Sequence, residues 1–330
     1  MNETIRLGQF ALDRPIGEGG MGQVWSARHE RDQVPVAVKF INSLRARDRA
    51  MREAFRREVR AVAGLNHPGI VMVFDYGEVP KAVEDLSSGH LRQGTPYLVM
   101  EELTGGPLDA ANQPGDWLTL QQILTELLKA LAHAHARGVI HRDLKLNNVV
   151  MGAETDARPG LKIIDFGLAQ MQEGDRETSR SLRAGAPAFE APEKILGDYR
   201  SQGPWTDLYS LGCMAFALAS GQPPYISDDI QQLVRCQLMV PMPALTPVFP
   251  IPSGFEAWLR RMLAKHPNDR YRTAADALHG LQTLASDPFV GPPDGLSVAA
   301  RHEPTTEVMA AAQATAVTRP LDLVQLAASS

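Results

Sequence analysis

The stretch His141-Arg142-Asp143-Leu144-Lys145-Leu146-Asn147-Asn148 collects a carboxylate, an ammonium and a carboxamide in one short segment. Asp143 is a candidate proton acceptor, Lys145 a candidate phosphate-directed cation and Asn148 a candidate metal ligand. Phosphoryl transfer to a hydroxyl needs groups of these three kinds. A loop with three charged residues is also typical of a solvated turn. The stretch alone therefore leaves both interpretations open, and the rest of the chain decides between them.

Length and composition favour a two-lobed, intracellular protein. The chain has 330 residues, of which 44% are hydrophobic, and this suffices for two packed lobes or domains. A formal net charge of −5 predicts no general attraction to nucleic acid or to anionic membranes. Only Cys213 and Cys236 are present, which argues against a disulfide scaffold or a Cys-rich zinc module. With no signal-peptide pattern at residues 1–4 and no apolar run long enough to span a membrane, a cytoplasmic location is expected.

The first third of the chain has the periodicity of strands with one helix. Apolar and β-branched segments between Gly, Asp and Pro breaks predict strands at 10–16, 24–27, 34–40, 70–76 and 97–101. Segment 44–65 changes to helical spacing, with Phe55, Val59 and Val62 on one face. The polar stretch 80–96 is interpreted as a surface insertion.

Helices dominate the remainder. Thr119 is expected to cap a helix, with Gln122 closing a capping box. Its buried face is predicted to comprise Ile123, Leu124, Leu127, Leu128 and Leu131. Short strands at 149–151 and 161–164 form a predicted hairpin, and further helices are expected at 207–220, 255–264 and 274–284. The predicted class is therefore α+β: a small antiparallel sheet lobe with one main helix, then a larger, mostly helical lobe.

A glycine-rich segment separates the first two predicted strands. Gly17, Gly19 and Gly22 allow the backbone to approach a triphosphate closely and accept positive φ. A lone G-x-G-x-x-G is a weak indication, and a flexible hairpin tip explains it equally well. A strand rather than a helix follows it, which counts against a dinucleotide-binding fold.

Two further charged positions extend the pattern. Lys39 ends the apolar strand Val36-Ala37-Val38-Lys39, and Glu58 in the next predicted helix is a candidate partner for it. An edge lysine facing water is the alternative. Asp165 follows the apolar run 161–164, and a carboxylate at a strand end suits Mg²⁺, which prefers oxygen ligands.

The order of these motifs resembles that of the protein kinases, and in particular of bacterial, eukaryotic-like serine/threonine protein kinases. The sequence contains, in order, G-x-G-x-x-G-x-V, V-A-V-K, a helix Glu, H-R-D-L-K-x-x-N, D-F-G and A-P-E. The resemblance covers about residues 7–286. It implies a bilobal fold with an extension at 1–6, an N-terminal lobe at 7–103 and a C-terminal lobe at 104–286. A shift to Pro, Ala, Thr and Gly with little periodicity indicates a flexible tail at 287–330.

The resemblance implies a role for each motif residue. Asp143 accepts or orients the proton of the substrate hydroxyl, Lys145 neutralises the γ-phosphate, and Lys39, paired with Glu58, grips the phosphates of ATP. Asn148 and Asp165 bind Mg²⁺, with Mn²⁺ as an alternative metal. The expected nucleotide site comprises Gly17, Gly19, Gly22, Val24, Ala37, Lys39, Met100, Glu101, Leu103, Leu108 and Val150, with Met100 behind the adenine and Glu101 and Leu103 offering backbone groups.

The resemblance also implies two structural contacts. Val62, Val73, His141 and Phe166 form a stacked apolar spine anchored by Asp207, although ordinary core packing explains these apolar residues as well. Glu193 of Ala191-Pro192-Glu193 pairs with Arg270 as a buried ion pair. His133 and His135 are two residues apart on a helix, so we expect packing or surface roles for them rather than metal binding.

The expected function is signalling by phosphorylation of Ser and Thr in protein substrates, with autophosphorylation through a transient homodimer. Thr178, Ser179 and Ser181 are candidate sites for Arg142 to recognise once phosphorylated. Ala186 stands where the family usually has Thr, which predicts reduced or unusual phosphotransfer, testable by the turnover of an Ala186→Thr variant. Two alternatives remain: a pseudokinase-like scaffold or nucleotide-binding module, and a small-molecule kinase of the aminoglycoside type.

Overall fold

The chain folds into two compact units. The structure, a computed structural model, describes residues 5–19, 22–41, 49–87, 91–108, 113–166 and 187–291. Over the described residues, Met1–Pro107 with Val149–Ala184 form the first unit, and Leu108–Asn148 with Gly185–Ser330 form the second. The first unit is built on an antiparallel sheet and the second mostly on helices, as predicted for the α+β class.

The first unit contains a six-stranded antiparallel sheet. Its strand order is β1-β2-β3-β4-β6-β5. In chain order the elements are β1 (Arg6–Leu7), β2 (Phe10–Gly19), β3 (Gly22–His29), β4 (Pro35–Ile41), α1 (Arg49–Ala63), β5 (Val73–Glu78), α2 (Lys81–Leu86) and β6 (Pro96–Glu101). The five predicted strands and the predicted helix are confirmed, with shifts at their ends.

Alternation along β4 decides which side chains meet α1. Val36, Val38 and Phe40 belong to one apolar cluster of the sheet. Ala37 belongs to a second cluster, which includes Val59 of α1. Successive side chains of a strand point to opposite faces. Lys39 therefore lies on the face that carries Ala37 and α1.

The segment 80–96 is more than a polar surface insertion, and this part of the prediction was wrong. It forms α2, and Val83 and Leu91 are buried at 1% and 2% exposure. Both belong to the cluster of Val36 and Phe40. Val83 and Leu91 stand among polar residues, so the segment looks polar in the sequence. Their burial covers a sheet face that would otherwise be exposed to water.

The hairpin after the H-R-D stretch belongs to the first unit. It comprises β7 (Val149–Gly152) and β8 (Gly160–Ile163), paired antiparallel. Backbone bonds run from the N–H of Ile163 to the Gly69 carbonyl (2.9 Å) and from Gly105 N–H to the Met151 carbonyl (3.0 Å). These bonds tie the hairpin to the sheet unit, so the division differs from the predicted contiguous boundary between residues 103 and 104.

The second unit is built from six helices over its described residues. They are α3 (Trp117–His135), α4 (Pro192–Ile195), α5 (Pro204–Ser220), α6 (Ile230–Met239), α7 (Phe255–Met262) and α8 (Ala274–Thr283). Every residue of α5 from Thr206 to Ser220 is buried, which confirms a central helix. A Cβ at Gly212 would lie 2.8 Å from Met262 Cβ, so glycine permits the close approach of α5 and α7.

The predicted start of α3 was wrong. The helix begins at Trp117, and the Asp116 side chain accepts a hydrogen bond from the Thr119 backbone N–H at 2.8 Å. Asp116 is therefore the N-cap, and Thr119 lies inside the first turn. Asp accepts as well as Thr at this position, and its charge also favours the positive end of the helix dipole. The predicted buried face of α3 is confirmed.

The C-terminal segment is ordered beyond the predicted start of the tail at residue 287. β10 (Phe289–Val290) pairs antiparallel with β9 (Ile251–Pro252), and the Asp287 carboxylate accepts from Gly254 N–H at 3.2 Å. Residues 292–330 lie outside the described ranges. Across the ranges given above, no helix combines the length and the apolar character needed to cross a membrane.

Candidate active site

Asp143, Lys145 and Asn148 form one hydrogen-bonded group in the second unit. Lys145 Nζ lies 2.8 Å from Asp143 Oδ2. Asn148 Nδ2 donates to the Asp143 carbonyl at 2.7 Å and to Oδ2 at 3.2 Å. Burial raises the pKa of Asp143, but the charges of Lys194 and Lys145 outweigh it and hold the pKa below its usual value. The three residues predicted from the H-R-D stretch therefore cluster around an ionised carboxylate.

Asp207 fixes the backbone that precedes Asp143. Its carboxylate accepts from the backbone N–H groups of His141 and Arg142, both at 2.8 Å, and lies 2.8 Å from His135 Nε2. Asp207 is fully buried. Burial raises its pKa, but the bond to His135 and the nearby donors produce a net lowering. His135 is thus a partner of the buried anchor, a role that the sequence analysis missed.

Two motif residues, Arg142 and Asp165, have an unusual backbone conformation. Arg142 has φ of 64° and Asp165 also has φ of 64°. Residues other than glycine rarely adopt this left-handed region, and such strain clusters at functional sites. Both residues stand inside predicted motifs, next to or at the carboxylates expected to act.

Lys39 and Asp165 form a buried ion pair in the first unit. Lys39 Nζ lies 2.5 Å from Asp165 Oδ2. The other oxygen, Asp165 Oδ1, is buried and has no hydrogen-bond partner among the described residues. Phe166 is buried too, and it lines a narrow gap together with Val62 and Val73. Three members of the expected spine therefore come together here.

The predicted Lys39–Glu58 pair is not formed, and here the structure corrects the sequence analysis. Among the described residues, the ion-pair partner of Lys39 is Asp165. Lys39 is 5% exposed, and a buried ammonium needs a buried counter-charge. Asp165, at 8% exposure, supplies it, whereas Glu58 on α1 is only half-buried.

The expected adenine-binding side chains are apolar neighbours in the first unit. Ala37 and Met100 are buried in one cluster, against which Val24 and Leu103 pack. Val150 is half-buried on β7, opposite Lys162. The expected Leu108 is buried and belongs to the second unit.

The end of β6 and the residues directly after it carry the predicted backbone groups. The backbone N–H of Glu101 donates to the Met72 carbonyl at 3.0 Å and is therefore occupied. Leu103 makes no backbone hydrogen bond within the described part of the chain. Its N–H and C=O are therefore not engaged by other backbone groups in those ranges.

The loop between β7 and β8 clamps this segment, an arrangement that the sequence did not reveal. Arg158 donates to the Glu101 carboxylate and to the His67 carbonyl, at 2.8 and 2.9 Å. Asp156 accepts from the N–H and the hydroxyl of Thr104, at 2.9 and 2.7 Å. The polar turn at 152–160 thus supports residues 101–104.

The glycines of the predicted phosphate loop flank the tip of a hairpin. Gly17 and Gly19 lie in β2 and Gly22 begins β3 with φ of 135°, where glycine is favoured. Gly17 pairs with Val24 in the register of the two strands. Gly20 and Met21, between the paired ends, lie outside the described ranges.

Glu193 and Arg270 form the predicted buried ion pair. Arg270 donates from both terminal nitrogens to the two carboxylate oxygens, at 2.8 and 2.9 Å. Thr206 adds its hydroxyl to the same carboxylate at 2.8 Å. This bidentate pair anchors α4 and is confirmed.

A second lysine reaches the Asp143 carboxylate, which the sequence analysis did not anticipate. Lys194, directly after the A-P-E motif, has its Nζ 3.6 Å from Asp143 Oδ1 and 2.9 Å from Glu190 Oε1. The signal in the sequence for a buried role of Lys194 was the opposite charge four residues earlier, at Glu190. Such spacing is common on solvated helices and does not indicate burial.

Comparison with known proteins identifies the family. A family model described as the protein kinase domain matches residues 10–281. The chain belongs to the protein kinase family. In this kinase-family chain, the matched residues include all the motifs of the resemblance, from Gly17 to Glu193.

Serine/threonine-protein kinases of bacteria are among its relatives. The chain is 36% identical to PknA of Mycobacterium tuberculosis over 277 residues, covering 82% of this chain and 61% of that protein. It is 33% identical to PknH of Mycobacterium bovis, covering 86% and 45% respectively. For Pkn1 of Myxococcus xanthus the identity is 34%, with 86% and 39% covered. The predicted resemblance is confirmed, and the chain spans about half the length of the curated relatives it matches.

The fold is also that of a solved kinase domain. The PknI kinase domain of Mycobacterium tuberculosis matches with a TM-score of 0.60 and 23% identity, covering 86% of this chain and 100% of that chain. The protein-kinase-like fold is therefore confirmed. Some predicted features lie outside the described residues: Gly167, Thr178, Ser179, Ser181 and Ala186.

Proposed function

We propose that this chain is a serine/threonine protein kinase that transfers the γ-phosphate of ATP to protein hydroxyls in cytoplasmic signalling. The observation that carries the proposal is the state of the Asp143 carboxylate. Lys145 and Asn148 engage Oδ2, whereas Oδ1 accepts no hydrogen bond within the described ranges. One oxygen is held and the other is available to a substrate hydroxyl.

The proposed reaction follows from this division. The Ser or Thr oxygen bonds to the γ-phosphorus, the bond from that phosphorus to the β–γ bridging oxygen breaks, and ADP leaves with the electron pair. Asp143 Oδ1 accepts or orients the departing hydroxyl proton. Lys145 neutralises charge on the phosphoryl group. Positioning and charge neutralisation supply most of the rate in this chemistry.

ATP has a suitable site on the first unit. Leu103 offers an unoccupied backbone donor and acceptor to the base, and Val24, Ala37 and Met100 offer an apolar surface. Lys39, on the same sheet face, supplies a cation for the phosphates. Glycines 17, 19 and 22 carry no side chain, so at these three positions the backbone can approach a triphosphate closely.

Each unit offers an oxygen atom of a kind that binds divalent metals. Asp165 Oδ1 is buried and lacks a hydrogen-bond donor from any described residue. Asn148 donates from Nδ2 to Asp143, and its amide Oδ1 is the atom that can accept or bind a metal. Carboxylate and amide oxygens suit Mg²⁺ and also Mn²⁺. A bound Mg²⁺ would neutralise phosphate charge, and Asp165 and Asn148 would hold it.

Phosphate transfer by the wild type and by Asp143→Asn tests the proposal. Each chain is incubated with γ-labelled ATP, Mg²⁺ and dephosphorylated casein, and ATP binding is measured separately with a fluorescent analogue. We expect label on casein Ser and Thr with the wild type, and a loss of about a hundredfold or more with Asp143→Asn. ATP binding should persist in both chains.

Other outcomes support the alternatives. ATP binding without transfer by the wild type would indicate a scaffold or nucleotide-binding module. Label on kanamycin but not on casein would indicate a small-molecule kinase.

A further inference from the structure

We propose that Lys194 is a positioning residue for phosphoryl transfer, held by Glu190 so that it directs Oδ1 of the Asp143 carboxylate toward the substrate hydroxyl. The inference rests on the proposed function and deepens it. Lys145 has a role implied by the motif, whereas Lys194 stands outside every motif that the sequence analysis used. Lys145 contacts one oxygen of the Asp143 carboxylate, and Lys194 lies near the other.

The contacts of Asp143 show this division. Oδ2 lies 2.8 Å from Lys145 Nζ and 3.2 Å from Asn148 Nδ2. Oδ1 faces Lys194 Nζ at 3.6 Å, beyond hydrogen-bonding distance. Lys194 therefore attracts Oδ1 without occupying its lone pairs. A carboxylate fixed at one oxygen and drawn to one side at the other has a defined plane, and Oδ1 still accepts a proton.

Burying the charged side chain of Lys194 at this position costs free energy. Its side chain is only 6% exposed, and lysine is rarely buried unless it is paired. Glu190 lies 2.9 Å from it. Glu190, Lys194, Asp143 and Lys145 thus form a row of alternating charges with no net formal charge. Such a row compensates the cost of burial and keeps the ammonium beside the carboxylate.

The backbone of Lys194 is held by rigid neighbours. Its N–H donates to the Ala191 carbonyl at 3.0 Å in the single turn of α4. The preceding residue, Glu193, is clamped by both nitrogens of Arg270. A side chain on such an anchor can hold a reacting group within a fraction of an ångström, which is what a positioning residue must do.

A role in folding alone does not explain the arrangement. The Lys194 ammonium pairs with Glu190 at 2.9 Å, and such an ion pair could equally form at the surface. The ammonium instead points into a small space bounded by Arg142, Asp143, Phe189 and Ser210. That space lies at the carboxylate that the reaction needs.

Steady-state kinetics of four full-length variants test the inference. Lys194→Met removes the charge, and Lys194→Arg keeps it. Lys194→Met combined with Glu190→Gln removes both charges, so that no carboxylate is stranded. Lys129→Met changes an exposed lysine of α3 in the same unit and serves as the matched control. Casein is the acceptor, and melting curves report folding.

We expect Lys194→Met to lower kcat about ten- to hundredfold, with the KM for ATP and for casein changed by less than about threefold. Lys194→Arg should retain clearly more of the kcat than Lys194→Met. The double variant should stay as slow as Lys194→Met, and Lys129→Met should match the wild type. If Lys194→Met fails to fold, the double variant carries the same test, because it leaves no unpaired charge.

The following results would overturn the inference while the proposed function stands. One is a folded Lys194→Met with unchanged kcat, whether or not its KM rises. The other is a double variant whose kcat recovers to that of the wild type. Recovery would show that the stranded Glu190 caused the defect, and a pure KM effect would make Lys194 a docking residue. A wild type that binds ATP but transfers nothing overturns the proposed function together with this inference.

Discussion

Asp207 shows how one buried side chain fixes the backbone of the loop before Asp143. Its two oxygens receive the backbone N–H groups of His141 and Arg142 and lie next to His135. The N–H groups hold the backbone directly before Asp143. A loop with positive φ at Arg142 needs such an external clamp, because local sequence alone disfavours that conformation.

The lowered pKa of Asp207 makes the strength of this clamp depend on pH. The pKa lies below the ordinary value of 3.8, so the unfolded chain takes up the proton first as pH falls. The stabilisation is complete above pH 3.8 and is lost as pH falls through the lower, folded pKa. At neutral pH we expect Asp207→Asn to lower the free energy of unfolding by about 3 kcal/mol, because charged hydrogen bonds are lost.

Urea titrations at pH 7 and at about pH 3 measure the effect. The gap between wild type and Asp207→Asn should shrink at the lower pH. Asp228→Asn, an exposed change in the same unit, should alter the free energy by less than about 0.5 kcal/mol at both values. An Asp207→Asn gap that is the same at both pH values would show that the carboxylate charge is not what stabilises the loop.

At the scale of the element, the start of α3 offers a direct choice between two capping residues. The sequence favoured Thr119, and the structure assigns Asp116. We expect Asp116→Ala to lower the midpoint of urea unfolding at least about twice as much as Thr119→Ala, because only Asp116 accepts the backbone N–H of residue 119.

Tryptophan fluorescence is a suitable measurement, since Trp117 is buried at the start of this helix. An equal or larger effect of Thr119→Ala would restore the cap predicted from the sequence. The control is Thr283→Ala near the end of α8, where the hydroxyl bonds a carbonyl within its own helix.

The hairpin β7–β8 and helix α2 show why apparently bland segments resist prediction. Arg158 and Asp156 belong to a polar turn, yet they hold Glu101 and Thr104. Val83 lies among charged residues, yet it completes the core under the sheet. In both elements the deciding partner is distant in sequence, and neither spacing nor composition contains it.

At the scale of the whole molecule, the resemblance predicts activation by phosphorylation. Thr178, Ser179 and Ser181 stand among arginines in the sequence, and Arg142 precedes Asp143. We expect incubation with ATP to place phosphate between residues 170 and 185, because hydroxyls at 178, 179 and 181 stand among arginines that can bond a phosphate. Mass spectrometry of wild type after incubation, with Asp143→Asn as the control, measures it.

Transfer between two molecules is part of the same expectation. Tagged Asp143→Asn mixed with untagged wild type should acquire phosphate in the same segment if a transient homodimer forms. Phosphate confined to the wild-type molecules would exclude transfer in trans, and its absence from 170–185 in both chains would remove the switch.

Much of the molecule follows from the sequence. Alternating apolar residues predicted the sheet around Lys39, and the order of motifs predicted the kinase-like fold. The Glu193–Arg270 pair also followed, since the resemblance supplied both partners. The partner of Lys39 did not follow, because Glu58 and Asp165 are both acidic and lie at plausible positions in the sequence.

The sequence by itself determined the chemistry of the side chains, the strand and helix periodicity and the order of the motifs. Tertiary structure alone decided that Lys39 pairs with Asp165 and that Lys194 approaches Asp143. The reason is physical: the partner of a buried charge is the opposite charge that folding brings within a few ångströms. Burial strengthens the attraction between the two charges, because water no longer screens it. Spacing along the chain specifies neither the distance nor the burial.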